Sequence, residues 1–294
     1  MIAAIDLPTI KVGQGFDNVV EWLENNMAGF FEGIGSFLET ITNDLADLLS
    51  APPAALMAII LAVLAVLARG WLFGLFSLVA MLFIQSMPTQ DLWEHSMLTL
   101  ALVIVASAIA MIFALPIGIL AAKSRIVAGA VRPVLDFMQT LPPFVYLLPA
   151  IFLFGLGIPP GAVATIVFAM PPGVRLTELG IRQVDPELVE AGHAFGAPQL
   201  SVLTRVQLPL AMPTIMAGVN QVIMLSLSMV VIAGMVGAEG LGQDVYQGIT
   251  SLDLVLGFES GISVVILAIY LDRLTSGLAQ SGRPRFKIRS RASA

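Results

Sequence analysis

The sequence predicts an all-α integral membrane protein: about seven transmembrane helices, preceded by an amphipathic helix and interrupted by a cytoplasmic polar helix. Three observations carry that prediction. Only 12% of the 294 residues are charged, about half the share usual in soluble domains. Uncharged runs cover 48–68, 70–90, 95–122, 137–174 and 206–238, and an apolar run at 254–271 is interrupted only by Glu259. About 20 residues suffice to cross a bilayer as a helix. The chain also lacks the roughly ten-residue alternating segments of a barrel, so its backbone groups must be satisfied within helices.

The elements follow in order. Residues 1–50 carry eight acidic residues against one lysine and no basic start followed by an apolar core, so no cleavable signal is expected. Phe16, Val20, Leu23, Met27, Phe30, Ile34, Phe37, Ile41, Leu45 and Leu48 recur every three or four residues, opposite Asp17, Glu21, Glu24, Glu32, Glu39, Asp44 and Asp47. That spacing predicts an amphipathic helix with a kink near Gly33 and Gly35, lying either in the membrane interface or against the bundle or a partner. Spans are expected at 52–69, 71–88, 97–122, 137–156, 160–174, 208–234 and 254–272. The run Gly155-Leu156-Gly157-Ile158-Pro159-Pro160-Gly161 reverses the chain between the fourth and fifth, and Pro142-Pro143 and Pro171-Pro172 should kink or break them.

Orientation follows from charge. With the N-terminus outside, seven spans place 13 of the 14 Lys and Arg residues inside, leaving only Lys11 out. Basic loops stay cytoplasmic, so the N-terminus is expected outside and the C-terminus, with the basic tail 276–294, in the cytoplasm.

Between the fifth and sixth spans lies "DPELVEAGHAFGAPQLSVLTRVQLP", too polar for lipid. Asp185 and Pro186 supply an N-cap and a first-turn proline, so a helix should start there and run to Phe195. Gly196-Ala197-Pro198 stops it, and a second amphipathic helix runs from Gln199 to about Val206. Two short helices bent at a glycine form a knob suited to a cleft in a soluble partner. A solvated loop is the other reading of this pattern alone.

Here the chain resembles a family. Glu190-Ala191-Gly192, then Gly196, then Val206-Gln207-Leu208-Pro209, has the spacing of the "EAA" signature of binding-protein-dependent ABC importer permeases. Gly192 and Val206 depart from the usual alanine and isoleucine. "RPVLDFMQTLPPFVYLLPAIFLFGLG" and "VQLPLAMPTIMAGVNQVIMLSLSMVVIAGMVGAEGLG" look like permease subunits of glycine betaine/proline betaine importers, a resemblance reaching from about residue 54 to 278. The resemblance implies two N-terminal transmembrane helices at 52–90, a transporter domain at 95–275, and a coupling helix at about 185–206. It also implies a homodimer above two ATPase subunits, fed by an extracytoplasmic binding protein, in a bacterial cell membrane. Glu190, Ala191, Gly192, Gly196, Leu208 and Pro209 would couple the chain to the ATPase.

The chain is expected to hold no cofactor and perform no catalysis itself, with ATP and Mg on the partner. A Walker A loop needs a Gly-Lys step, whereas the lysines follow Ile10, Ala122 and Phe286. Quaternary ammonium groups favour aromatic cages, but three Trp and three Tyr are scattered here, so selective capture is assigned to the binding protein. His95 stands alone and His193 has only Glu190 on its helical face, too few ligands for a metal. Glu259, near the outer end of the last span, reads as an interfacial carboxylate.

In the sixth span Thr214, Ala217, Gly218, Gln221, Met224, Leu225 and Ser228 share one helical stripe, flanked by Asn220. The stripe is either a helix contact or a water-accessible surface. An unpaired amide is costly in lipid, so Gln221 and Ser228 are assigned to the solute route, with Thr214, Asn220 and Met224 beside them. An ion-coupled secondary transporter is the rival class, but such proteins usually keep ionisable groups mid-membrane. A permease for choline or carnitine is the nearer alternative. Nothing points to nucleic acid.

Overall fold

The computed structural model describes residues 11–281, and among these every regular element is helical. The residues before position 11 and most of the basic tail, including 283–291, lie outside the described residues.

Helix α1 (Val12–Ser50) lies ahead of the bundle. Its break falls at Met27 (φ −129°, ψ 19°), not at the glycines. Just before it, the Asn26 side chain donates to the Trp22 carbonyl at 2.7 Å, competing with the helical ladder. Gly35 instead lies on the buried face, against Phe154 and Pro159. The buried line of the second half is Gly35, Leu38, Thr42 and Ala46, while Phe30, Phe37, Ile41 and Leu48 of the expected apolar stripe stay exposed. The helix therefore packs on the bundle with one face and keeps a second apolar face uncovered.

Helices α2 (Ala54–Arg69) and α3 (Trp71–Ser86) form a hairpin turned at Gly70, followed by α4 (Leu92–Lys123), α5 (Arg125–Thr140), α6 (Pro143–Phe154) and α7 (Ile158–Arg182). Four helical stretches are long and apolar enough to cross a membrane: α4, α7, residues 199–236 and the last helix. Counting each of two bent pairs, α1 with α2 and α5 with α6, as one span gives up to six. The second expected span, 71–88, is a helix of 16 residues. At 1.5 Å per residue it is about 24 Å long, the same as α2, so both helices of the hairpin are somewhat shorter than a hydrocarbon core of about 30 Å.

The fourth span, expected at 137–156, is broken at Pro142-Pro143 as the prolines predict, and the chain turns by 98° between α5 and α6. Pro142 cannot donate to the Met138 carbonyl, and the residue before it, Leu141, is extended (φ −69°, ψ 132°). The Tyr146 hydroxyl donates to that stranded carbonyl instead. Pro171 and Pro172, by contrast, sit buried inside α7, which runs through them unbroken between α4 and α10 (Leu208–Ala233).

The core has two main parts. Met57, Leu61, Met81, Ile84, Leu100 and Leu267 join α2, α3, α4 and the last helix, where the buried Tyr270 hydroxyl donates to the Leu61 carbonyl at 3.1 Å. Met111, Ala114, Ala169, Val174 and Val222 lock α4, α7 and α10 together.

The two ends of the bundle differ in charge. At one end Arg182 donates to the Ala121 carbonyl at 2.7 Å, and the buried Glu178 carboxylate lies 2.8 Å from both Arg132 and Arg182. Arg175 pairs there with Asp136. At the other end His95 Nδ1 lies 2.7 Å from the buried Asp244 carboxylate, so His95 does not stand alone. Thr89 donates its backbone N–H to Glu259 at 3.1 Å.

Candidate coupling site

The polar segment folds as a knob at the basic end. Helix α8 (Pro186–Ala194) begins where Asp185 accepts from the Glu187 N–H at 3.0 Å, with Pro186 in the first turn. It ends at Gly196, whose φ is +76°, a left-handed conformation that glycine adopts without a Cβ penalty. Gly196 N–H donates to the His193 carbonyl at 2.9 Å, and Ala197 N–H to the Gly192 carbonyl at 3.1 Å, so the helix end is closed. Nothing lies within 4 Å of a Cβ added at Gly196. The glycine therefore serves the backbone turn, not a shortage of space. Gly192 serves a close approach: a Cβ there would meet Val202 Cγ2 at 3.2 Å.

The return is not a separate amphipathic helix ending before the membrane. Helix α9 (Gln199–Val202) passes into a π turn (Leu203–Gln207) and then into α10 (Leu208–Ala233), so residues 199–236 form one continuous rod. Pro209 explains the π turn. Its ring crowds the carbonyl four residues back and it has no N–H to give. The widened turn, in which the Leu208 N–H donates to the Leu203 carbonyl, accommodates that loss. Leu208 and Pro209 thus lie within the junction between knob and span.

Glu190, Ala191 and Gly196 are exposed on the knob, while Gly192 is half-buried against α9. Sequence reasoning missed the apolar residues beside them: Leu188, Phe195 and Leu200 are all exposed, Phe195 to 91%. Large apolar groups presented on a polar knob suit burial in a partner. Sequence reasoning also missed Lys123, whose ammonium donates to the buried Gln207 side chain at 2.6 Å and ties α4 to the π turn. These residues are far apart in the chain and carry no spacing signal.

Along α10 the predicted stripe divides. Ala217, Gln221, Met224 and Ser228 are exposed, and Gln221 has no side-chain partner among the described residues. Ser228 donates only to the Met224 carbonyl of its own helix, at 3.1 Å. Thr214 and Gly218 face α7, at Gly180 and Leu176. Asn220 is held by the last helix: its amide donates to Asp272 at 2.8 Å and accepts from Thr275 at 2.8 Å. The exposed polar line is therefore Gln221 and Ser228, with Met224 between them.

Comparison with known proteins shows the family and the fold. Residues 114–287 match the family model described as the binding-protein-dependent transport system inner membrane component. The chain is 46% identical over 281 residues to the glycine betaine transport system permease protein OpuAB of Bacillus subtilis, covering 95% of this chain and 98% of that one. It is 46% identical over 266 residues to the glycine betaine/proline betaine transport system permease protein ProW of Escherichia coli, covering 90% and 74% of the two chains. The fold is similar to that of a chain in the inward-facing MetNI methionine ABC transporter, with a TM-score of 0.59 at 22% identity, covering 63% of this chain and 93% of that one. The chain is a membrane-spanning permease of the binding-protein-dependent transport system inner membrane component family.

Proposed function

We propose that this chain is the permease subunit of an ATP-driven importer for glycine betaine, proline betaine or a similar quaternary-ammonium osmolyte. The observation that carries the proposal is the continuous helical junction between the knob and α10. A knob bearing Glu190, Phe195 and Leu200 runs through one π turn into the helix that presents Gln221 and Ser228. A push on the knob is thereby transmitted to the lining of a path without an intervening loop.

Two copies of the chain would enclose the path, each docked on an ATPase subunit that holds ATP and Mg, with an extracytoplasmic binding protein delivering solute. The basic end would face the cytoplasm and the N-terminus the outside. The path side chains are neutral, so the ammonium meets dipoles and the soft Met224 thioether, with no counter-charge to hold it. Such a route passes a zwitterion without trapping it, leaving selection to the binding protein.

Solute identity rests on relatives named for glycine betaine, one of which, from Listeria monocytogenes, is also named for carnitine and is 45% identical over 282 residues. The test is to purify the tagged chain with its ATPase and binding protein and measure ATP hydrolysis against glycine betaine, proline betaine, carnitine and choline. Betaine-stimulated hydrolysis is expected. A chain that recovers no ATPase, or a complex stimulated only by an unrelated solute, would overturn the assignment.

A further inference from the structure

A cavity of about 430 Å³ opens at the basic end between the α2–α3 hairpin and the last helix, α12 (Leu254–Ser281), far in the chain from the knob. Its lining is Arg69, Leu72, Phe73, Phe76, Ile269 and Arg273. Phe73 stacks on Phe76 and on Tyr270, with ring centroids 6.5 and 6.1 Å apart, so the apolar wall is a fixed aromatic surface. Trp71 is exposed beside it, at the turn of the hairpin, where an indole commonly marks the headgroup level of a bilayer.

The charges do not balance. Arg69 meets no carboxylate among the described residues. Arg273 reaches only Asp272, at 3.7 Å, and the other oxygen of that carboxylate is taken by Asn220. Two guanidinium groups therefore stand at the mouth of an apolar groove with one shared, weakly placed counter-charge. We propose that this cavity binds an anionic phospholipid of the leaflet at the basic end, its phosphate between Arg69 and Arg273 and an acyl chain along Phe73, Phe76 and Ile269. A guanidinium matches phosphate oxygens through paired N–H groups, and basic pockets between transmembrane helices suit acidic headgroups. A second copy of the chain would bring the same two cations to the contact and be repelled. A soluble anion would leave the aromatic wall unused.

The test uses the full chain in neutral detergent. Thermal unfolding is followed while phosphatidylglycerol, phosphatidylcholine or glycerol 3-phosphate is added. Phosphatidylglycerol should raise the midpoint, and the other two should not. In R69Q/R273Q the phosphatidylglycerol concentration for half of the effect should rise roughly twentyfold, and in either single variant roughly fivefold. R125Q, which removes an exposed charge of the same end outside the cavity, should behave as wild type. The single variants decide the matter if the double variant does not fold. Equal stabilisation by phosphatidylcholine, an equal effect of glycerol 3-phosphate, unchanged response in the arginine variants, or an equal loss in R125Q would overturn the proposal.

Discussion

Lys123 donates to the side-chain oxygen of Gln207 at 2.6 Å, so the last residue of α4 holds the π turn that feeds α10. Gln207 is buried and Lys123 reaches solvent, which makes the glutamine the member that suffers when the pair is broken. Lys123→Met should therefore cost about 1–2 kcal/mol of stability by stranding a buried amide. It should also lower the ratio of solute-stimulated to basal ATP hydrolysis in the complex, whereas Gln207→Glu, which turns the contact into an ion pair, should preserve it. An unchanged ratio in Lys123→Met would remove this tie from the coupling machinery.

The knob gives a ranked prediction. Because Gly196 is needed for its φ of +76° and has open space around it, side-chain size alone should not decide the outcome. Asn tolerates the left-handed region best after glycine, Ala less well, and a β-branched residue least, at a strain of roughly 1–2 kcal/mol or more. Gly196→Asn should retain the most co-purifying ATPase, Gly196→Ala less, and Gly196→Val the least, with all three chains inserted in the membrane. Recovery that is the same for all three would contradict the turn-based account.

Much of this was legible in the sequence, for identifiable reasons. Apolar runs have to be helices in lipid, and Asp185-Pro186 with Gly196-Ala197-Pro198 brackets a helix by local chemistry alone. What escaped depends on contacts distant in the chain. His95 meets Asp244, Asn220 meets Asp272, and Lys123 meets Gln207, pairs that no periodicity announces. Helix α11 (Leu241–Thr250) was hidden too, since its ten residues follow an apolar run and are anchored by the Leu241 N–H on Thr99 at 2.9 Å. The split of the fourth span was half visible: Pro142-Pro143 foretold a disturbance, but not a 98° turn.

The path gives a labelling prediction. The chain contains no cysteine, so single cysteines can be placed without background. Gln221→Cys and Ser228→Cys should react with a small water-soluble thiol reagent, and their rates should change when ATP turnover is blocked. Val222→Cys, fully buried, should react far more slowly. Complete protection of positions 221 and 228 in every state would assign the stripe to static packing.

Topology is tested at the C-terminus. With 13 of the 14 basic residues assigned to one side, a reporter fused after Ala294 should be active only in the cytoplasm, and a tag before Met1 should be accessible from outside. A fusion active only outside the cell would invert the whole orientation and place the knob where no ATPase exists.

The central claim is that this chain moves a betaine-type solute because a separate ATPase drives its knob. The direct measurement is uptake of labelled glycine betaine into vesicles holding the chain and its ATPase, with binding protein on the knob-free side and ATP on the knob side. Uptake should require ATP, stop in Gly196→Val, and persist when proton and sodium gradients are collapsed. Uptake that continues without ATP and disappears with the ion gradient would show an ion-coupled transporter and contradict the account.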